Sequence, residues 1–318
     1  MRHLISLKEQ KPKDIRQMLD MAVELKKQRS SGRSLDTLKG KKLLMVFEKN
    51  SGRTRVTYSS AMLELGGHSI IVDKQASQIN FNNSKYEIES MIGDNADILM
   101  YRALKSADVL YLASRNLVPV IDACSEKYHP SQALSDIFTM AEYSKGIGNV
   151  GKVAWLGIEN NVCNTLKLAC AKLGIEFYIV SPEVDKNSVD KELNSRAGAT
   201  GCVKRTLDLK KALNGASFVH TDSWMNMEFF EDGGIKPQFK KEYERRKKVF
   251  SEYQLNAVLI NKYAPKAKIM HCMPFHIGFE ITEDAVNHPN SIIMRQAANR
   301  MHMQKAILLW LLNMNPKL

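Results

Sequence analysis

Disulfide chemistry and membrane insertion are the first things this sequence lacks. Its 318 residues hold five cysteines, Cys124, Cys163, Cys170, Cys202 and Cys272. The number is odd, and no two stand in a C-x-x-C pair. That argues against a disulfide framework or a zinc ribbon and points to a reducing, cytoplasmic setting. No apolar run approaches the roughly 18 residues that a membrane span needs. The opening stretch, Met1 to Glu9, has no sustained apolar segment, so we expect no secretory leader. Low-complexity tracts and short-period repeats are also missing.

Acidic residues are the minority charge. Lys and Arg number 46 against 34 Asp and Glu, a net charge of +12. The densest basic run, 240–248, carries Glu242 and Glu244 inside it and reads as a solvated helix face. No basic stripe is interleaved with aromatics, so we expect neither a nucleic-acid nor a membrane partner. A positive field also suits a small anionic substrate. Apolar residues make up 44% and charged residues 25%, the balance of a globular chain long enough for two core-bearing domains.

What is present alternates. Apolar runs at 43–47, 68–72, 98–101 and 118–121 read as strands, with helical patterns at 56–65 and 133–143. After the Gly-rich break at 146–151 a second series follows: strands at 153–156, 177–180, 217–220, 269–272 and 292–294, a helix at 165–173, and a long amphipathic helix at 299–312. Alternation of this kind predicts an α/β fold of two doubly wound parallel-sheet domains. Gly146-x-Gly148-x-x-Gly151 fits a dinucleotide fingerprint nominally, but it precedes a strand instead of following one. We expect no cofactor and no metal.

Residues 47–55, Phe-Glu-Lys-Asn-Ser-Gly-Arg-Thr-Arg, join a predicted strand to a predicted helix. Free backbone N–H groups at a helix start bind anions, usually phosphate. Ser51 and Thr54 add hydroxyl donors, and Arg53 and Arg55 add guanidinium forks. Taken alone, Ser51 also reads as a plain helix cap with solvated arginines beyond it. Arg102, His129 with Gln132, Asn160 with Asn161, and Asp222 with Trp224 follow predicted strands, and His271 with Cys272 end one. Ligands of open α/β sheets bind at the carboxyl ends of strands. Each of these has an ordinary structural reading alone: a surface cation, a helix start, a cap, a buried thiol. Their recurrence on successive units suggests one cleft between two domains.

Eight short segments, in order, resemble the aspartate/ornithine carbamoyltransferases, and the ornithine enzymes most. They are Ser51-Gly52-Arg53-Thr54-Arg55, Gly66-Gly67-His68, Arg102, His129-Pro130-Ser131-Gln132, Asn160-Asn161, Asp222-Ser223-Trp224, His271-Cys272-Met273-Pro274 and Asn299-Arg300-Met301-His302. The resemblance implies a carbamoyl phosphate domain at 1–145, an amino-acid substrate domain at 146–298, and a C-terminal helix, 299–318, returning to the first domain. It implies Ser51, Gly52, Arg53, Thr54, Gln78, Arg102, His129, Gln132, Cys272, Met273 and Arg300 as carbamoyl phosphate ligands. Among these, Arg102, His129, Cys272 and Arg300 are implied to be catalytic. Asn161, Asp222, Asn226 and Met227 would hold the amine.

The implied reaction moves the carbamoyl group to the side-chain amine of L-ornithine, giving L-citrulline and phosphate, in a homotrimer or a multiple of trimers. Departures sit at Gly52, where the family has Thr, and at Ile158-Glu159 before the Asn pair. Others sit at 82–86, and at Asn226-Met227-Glu228, where a long following segment would close over the amine. These keep two alternatives open: a different amine acceptor such as putrescine or lysine, or a catalytically silent homologue.

Overall fold

Nine strands organise the described residues into two parallel sheets, of four and five strands. The computed structural model describes residues 1–31, 35–73, 84–225, 229–231 and 234–316. Gln78, Asn226 and Met227 lie outside the described residues. The chain divides into two units, one of Met1–Phe138 with Ala298–Leu318, the other of Thr139–Ala297.

The first unit runs α1 (Pro12–Ser30), β1 (Lys42–Phe47), α2 (Gly52–Glu64), β2 (His68–Asp73), α3 (Ser84–Met91), β3 (Ile98–Arg102), α4 (Ser106–Ser114), β4 (Val120–Asp122) and the start of α5 (Pro130–Tyr143). Its sheet order is β2-β1-β3-β4, all parallel. Leu43 to Phe47 and Ile98 to Tyr101 are buried throughout, as strands covered on both faces must be. The order reverses between β1 and β3, where Phe47 pairs with Arg102. Such a switch point leaves a crevice beyond the strand ends.

The second unit holds β5 (Lys152–Leu156), α6 (Asn161–Leu173), β6 (Phe177–Val180), α7 (Lys191–Gly198), β7 (Val203–Arg205), α8 (Leu209–Leu213), β8 (Ala216–Thr221), and the hairpin β9 (Phe230–Glu231) and β10 (Gly234–Ile235). It continues with α9 (Lys240–Phe250), α10 (Ala257–Tyr263), β11 (Lys268–His271), α11 (Glu283–Val286) and the start of α12 (Ile293–Leu311). The sheet order is β11-β8-β5-β6-β7, again all parallel. Its switch point lies between β5 and β8, where Leu156 pairs with Thr221.

Three expectations are corrected. Residues 292–294 are not a strand. Ser291 makes one bridge to Ile269, Ile292 N–H donates to the Ile269 carbonyl at 3.0 Å, and the chain then enters α12. Three apolar residues in a row cannot separate a strand rung from a helix start. The helix expected at 56–65 begins earlier, at Gly52, because Ser51 caps it. The segment expected to be loop after 228 contains the hairpin and opens into α9.

Candidate active site

Ser51 stands in extended backbone (φ −160°, ψ 98°), and its Oγ accepts from Thr54 N–H at 3.4 Å. That is an ordinary N-cap. It places residues 52–54 in the first turn of α2, at the positive end of the helix, with no acidic residue in that turn. Ser51 Oγ also donates to Thr54 Oγ1 at 2.9 Å, and Arg300 Nη2 donates to the same oxygen at 3.1 Å. A Cβ on Gly52 would meet no atom within 4 Å, so the fold does not require glycine there. Arg55 is drawn elsewhere. Both its Nη atoms lie 3.2 Å from Asp73 Oδ2, and its guanidinium covers the Phe47 ring. Arg55 is therefore committed to a structural ion pair, and its expected place in the anion loop is corrected.

Arg102 ends β3 and donates from Nη1 to the Ala123 carbonyl at 3.1 Å. His129 immediately precedes α5 and is buried. Burial holds its pKa well below the usual 6.5, and the charges of Arg300, Arg102 and Arg53 lower it further. The imidazole is thus neutral, with one N–H to donate. Gln132 donates its Nε2 to Asp136 Oδ1 at 2.8 Å. A carboxylate only accepts, so this bond fixes the amide's orientation and leaves Oε1 as a buried acceptor without a partner among the described residues. The first unit thus gathers three cations, a neutral imidazole, a hydroxyl, a helix N-terminus and an amide oxygen. That set suits an anion carrying both a carbonyl oxygen and an amide N–H.

The second unit builds a different site. Asp222 follows β8, Asn160 and Asn161 follow β5, and Cys272 follows β11. Asn160 Nδ2 donates to Asp222 Oδ2 at 2.7 Å, across the switch point. The Cys272 thiol donates to Asp222 Oδ1 at 2.8 Å. The Asn161 side chain accepts from Val162 N–H at 3.0 Å. Cys272 is held from both sides. His271 N–H donates to Gln296 Oε1 at 2.9 Å, and Met273 N–H donates to His271 Nδ1 at 2.8 Å. The Met273–Pro274 peptide is cis.

His271 Nε2 then lies 3.1 Å from Glu280 Oε1, which also accepts from His276 N–H at 2.6 Å. Burial pushes the Glu280 carboxyl up, but its hydrogen bonds to His271 and His276 outweigh that and hold its pKa at about 2. Asp222, His271 and Cys272 offer ligand atoms within 4.8 Å of one another. Both ring nitrogens of His271 are already engaged, so the trio reads as a hydrogen-bonded polar site. A half-buried carboxylate beside a thiol suits an amine.

Sequence reasoning missed the residues that support these groups. Asp136 holds Gln132 at i+4 spacing, a helix pairing visible in principle. Glu159, buried beside Asn160, is paired with Lys167 at 2.5 Å and with Arg205. Asn160, expected only as part of the Asn pair, is also the N-cap of α6.

The chain matches known proteins along its whole length. Residues 2–142 match the carbamoyl-P binding domain of aspartate/ornithine carbamoyltransferase, and residues 150–311 match the Asp/Orn binding domain of the same family. An ornithine carbamoyltransferase of Chromobacterium violaceum is 35% identical over 312 residues, covering 98% of this chain and 97% of that protein. One from Methanosarcina mazei is 34% identical over 311 residues, covering 98% and 99%. The structure of ornithine carbamoyltransferase from Pyrococcus furiosus superposes with a TM-score of 0.86 at 33% identity, covering 97% of this chain and 96% of that one. Two successive family domains, full coverage and a shared architecture agree with the anion-binding and amine-binding chemistry built above: the chain belongs to the aspartate/ornithine carbamoyltransferase family.

Proposed function

We propose that this protein carbamoylates the side-chain amine of L-ornithine, using carbamoyl phosphate and releasing L-citrulline and phosphate. The observation that carries this reading is the neutral, buried His129 set among Arg53, Arg102 and Arg300. The phosphate sits at the α2 N-terminus on Ser51, Gly52, Arg53 and Thr54, where dipole and hydroxyls meet it. Arg102, His129 and Thr54 donate to the carbamoyl oxygen and stabilise the negative charge that grows there as the amine attacks. Gln132 Oε1 accepts from the carbamoyl nitrogen. Arg300, already on Thr54, adds positive charge as the phosphate leaves.

On the second unit, Asp222, Cys272 and Asn161 receive the amine substrate. A side-chain amine has a pKa near 10 and must attack unprotonated, so the site selects or frees the neutral form. No covalent enzyme intermediate is needed; positioning and fixed dipoles do the work. Gln78, lent across a homotrimer, and a cytoplasmic location complete the reading.

The test is an acceptor screen with carbamoyl phosphate, reading ureido product. L-Ornithine should be the preferred amine. Putrescine or L-lysine outpacing it by about tenfold or more would reassign the acceptor. Absence of turnover with every amine, with carbamoyl phosphate still bound, would mark a silent homologue.

A further inference from the structure

The surroundings of Asp222 limit what it can still accept. A carboxylate offers about four lone-pair directions. Oδ1 receives Ser223 N–H at 2.8 Å and the Cys272 thiol at 2.8 Å. Oδ2 receives Asn160 Nδ2 at 2.7 Å. Among the described residues this leaves a single direction, on Oδ2, for a further donor.

Asn160 decides where that direction lies, and its own orientation is fixed. Its Oδ1 accepts from Val162 N–H and Cys163 N–H, both at 3.1 Å. Helix N–H groups only donate and the carboxylate only accepts, so the amide has one way round. The turn that carries it is pinned from behind. Glu159 N–H donates to Ser181 Oγ at 3.0 Å, Asp185 N–H donates to the Glu159 carbonyl at 2.9 Å, and the buried Glu159 carboxylate grips Lys167 and Arg205.

We propose that Asn160 is the positioning residue for Asp222, turning the last open lone pair of Oδ2 to the amine substrate. The inference rests on the reading of this unit as the amine-binding half, and adds the residue that sets its acceptor geometry. Affinity for the amine depends on Asn160, and affinity for carbamoyl phosphate does not.

The experiment compares KM values for L-ornithine and carbamoyl phosphate in the parent, in Asn160→Ser and in Asn160→Asp. Serine keeps the helix cap but is too short to donate to Asp222. Its amine KM should rise about tenfold or more, as for a lost hydrogen bond to a charged group, with the carbamoyl phosphate KM within about twofold of the parent. Asn160→Asp keeps length and cap but sets a second carboxylate against Asp222. Its amine KM, relative to the parent at the same pH, should be highest at neutral pH and fall in mildly acidic buffer as the pair takes up a proton.

An unchanged amine KM in Asn160→Ser, or equal rises in both KM values, overturns the proposal. Should that variant fail to fold, a pH-independent effect in Asn160→Asp overturns it equally. A parent that prefers another amine removes ornithine from the functional reading, and the same KM comparison is then made with the preferred amine.

Discussion

At the scale of single residues, the site depends on groups kept in unusual protonation or hydrogen-bonding states. His129 is the clearest. A histidine with three arginines near it and no solvent cannot hold a proton at neutral pH. It acts as a neutral donor to developing charge. Replacing it by glutamine keeps a donor but loses the ring's geometry, and kcat should fall about 10²–10³-fold, the range for losing one oxyanion donor. Because its pKa lies well below 6.5, the kcat profile of the parent should show no acid limb near 6.5 from this group. A limb that disappears in His129→Gln at that pH would sink the assignment. Gly52 is a departure the fold does not demand, since no atom lies within 4 Å of where a Cβ there would sit.

Among the elements, the turn between β5 and α6 carries a buried charge, Glu159, paired with Lys167 of α6. Glu159 and Lys167 are each 1% exposed, while Arg205 is half open to solvent. Removing one member of a buried pair strands the other. Glu159→Gln should therefore cost about 3 kcal/mol or more in urea unfolding, read as a lower midpoint at unchanged slope. A change within experimental scatter would mean the pair is replaceable.

This is also where sequence and structure part. Strands β1, β3, β5, β6 and β8 were legible because strands buried on both faces write continuous apolar runs. Edge strand β7, Val203–Arg205, is partly exposed and writes none. Helix α1 buries Ile15, Met18, Leu19, Ala22 and Leu25 in a stripe at helical spacing with charges on the other face, so it was legible as an amphipathic helix though not predicted. For the site, the principal groups were legible from type and order. Of their supports, Asp136 was visible only as an i+4 partner of Gln132, and Glu159 and Glu280 were not legible as supports, because a carboxylate that orients a neighbour has the same sequence signature as one facing water.

For the whole molecule, acid should be more damaging than alkali. Glu280 titrates at about 2 when folded against an ordinary 4.5, so its stabilising contribution is complete above 4.5 and is lost as pH falls from 4.5 towards 2. Glu159 is also lowered: burial raises its pKa, but Arg205 and Lys167 outweigh that, so its contribution fades on the same side. His129 works in the same direction higher up. Below 6.5 the unfolded chain binds a proton there that the folded chain refuses, so stability falls with pH. Urea midpoints should decline from pH 6.5 downward, and Glu280→Gln should flatten the lowest part of that decline, below 4.5. A midpoint that holds steady across this range contradicts the picture.

The path of the chain adds a constraint of another kind. Arg300 bonds Thr54, Lys26 bonds Asn299 at 2.7 Å, and the buried Lys305 pairs with Glu64 at 2.7 Å. Residues 298–318 thus belong to the unit that begins at Met1. Ribosomes deliver the N-terminal part first, and most multidomain proteins fold in that order. Here the earlier-made half waits for residues made much later, so a nonsense mutation that removes residues 298–318 should cripple the half translated first.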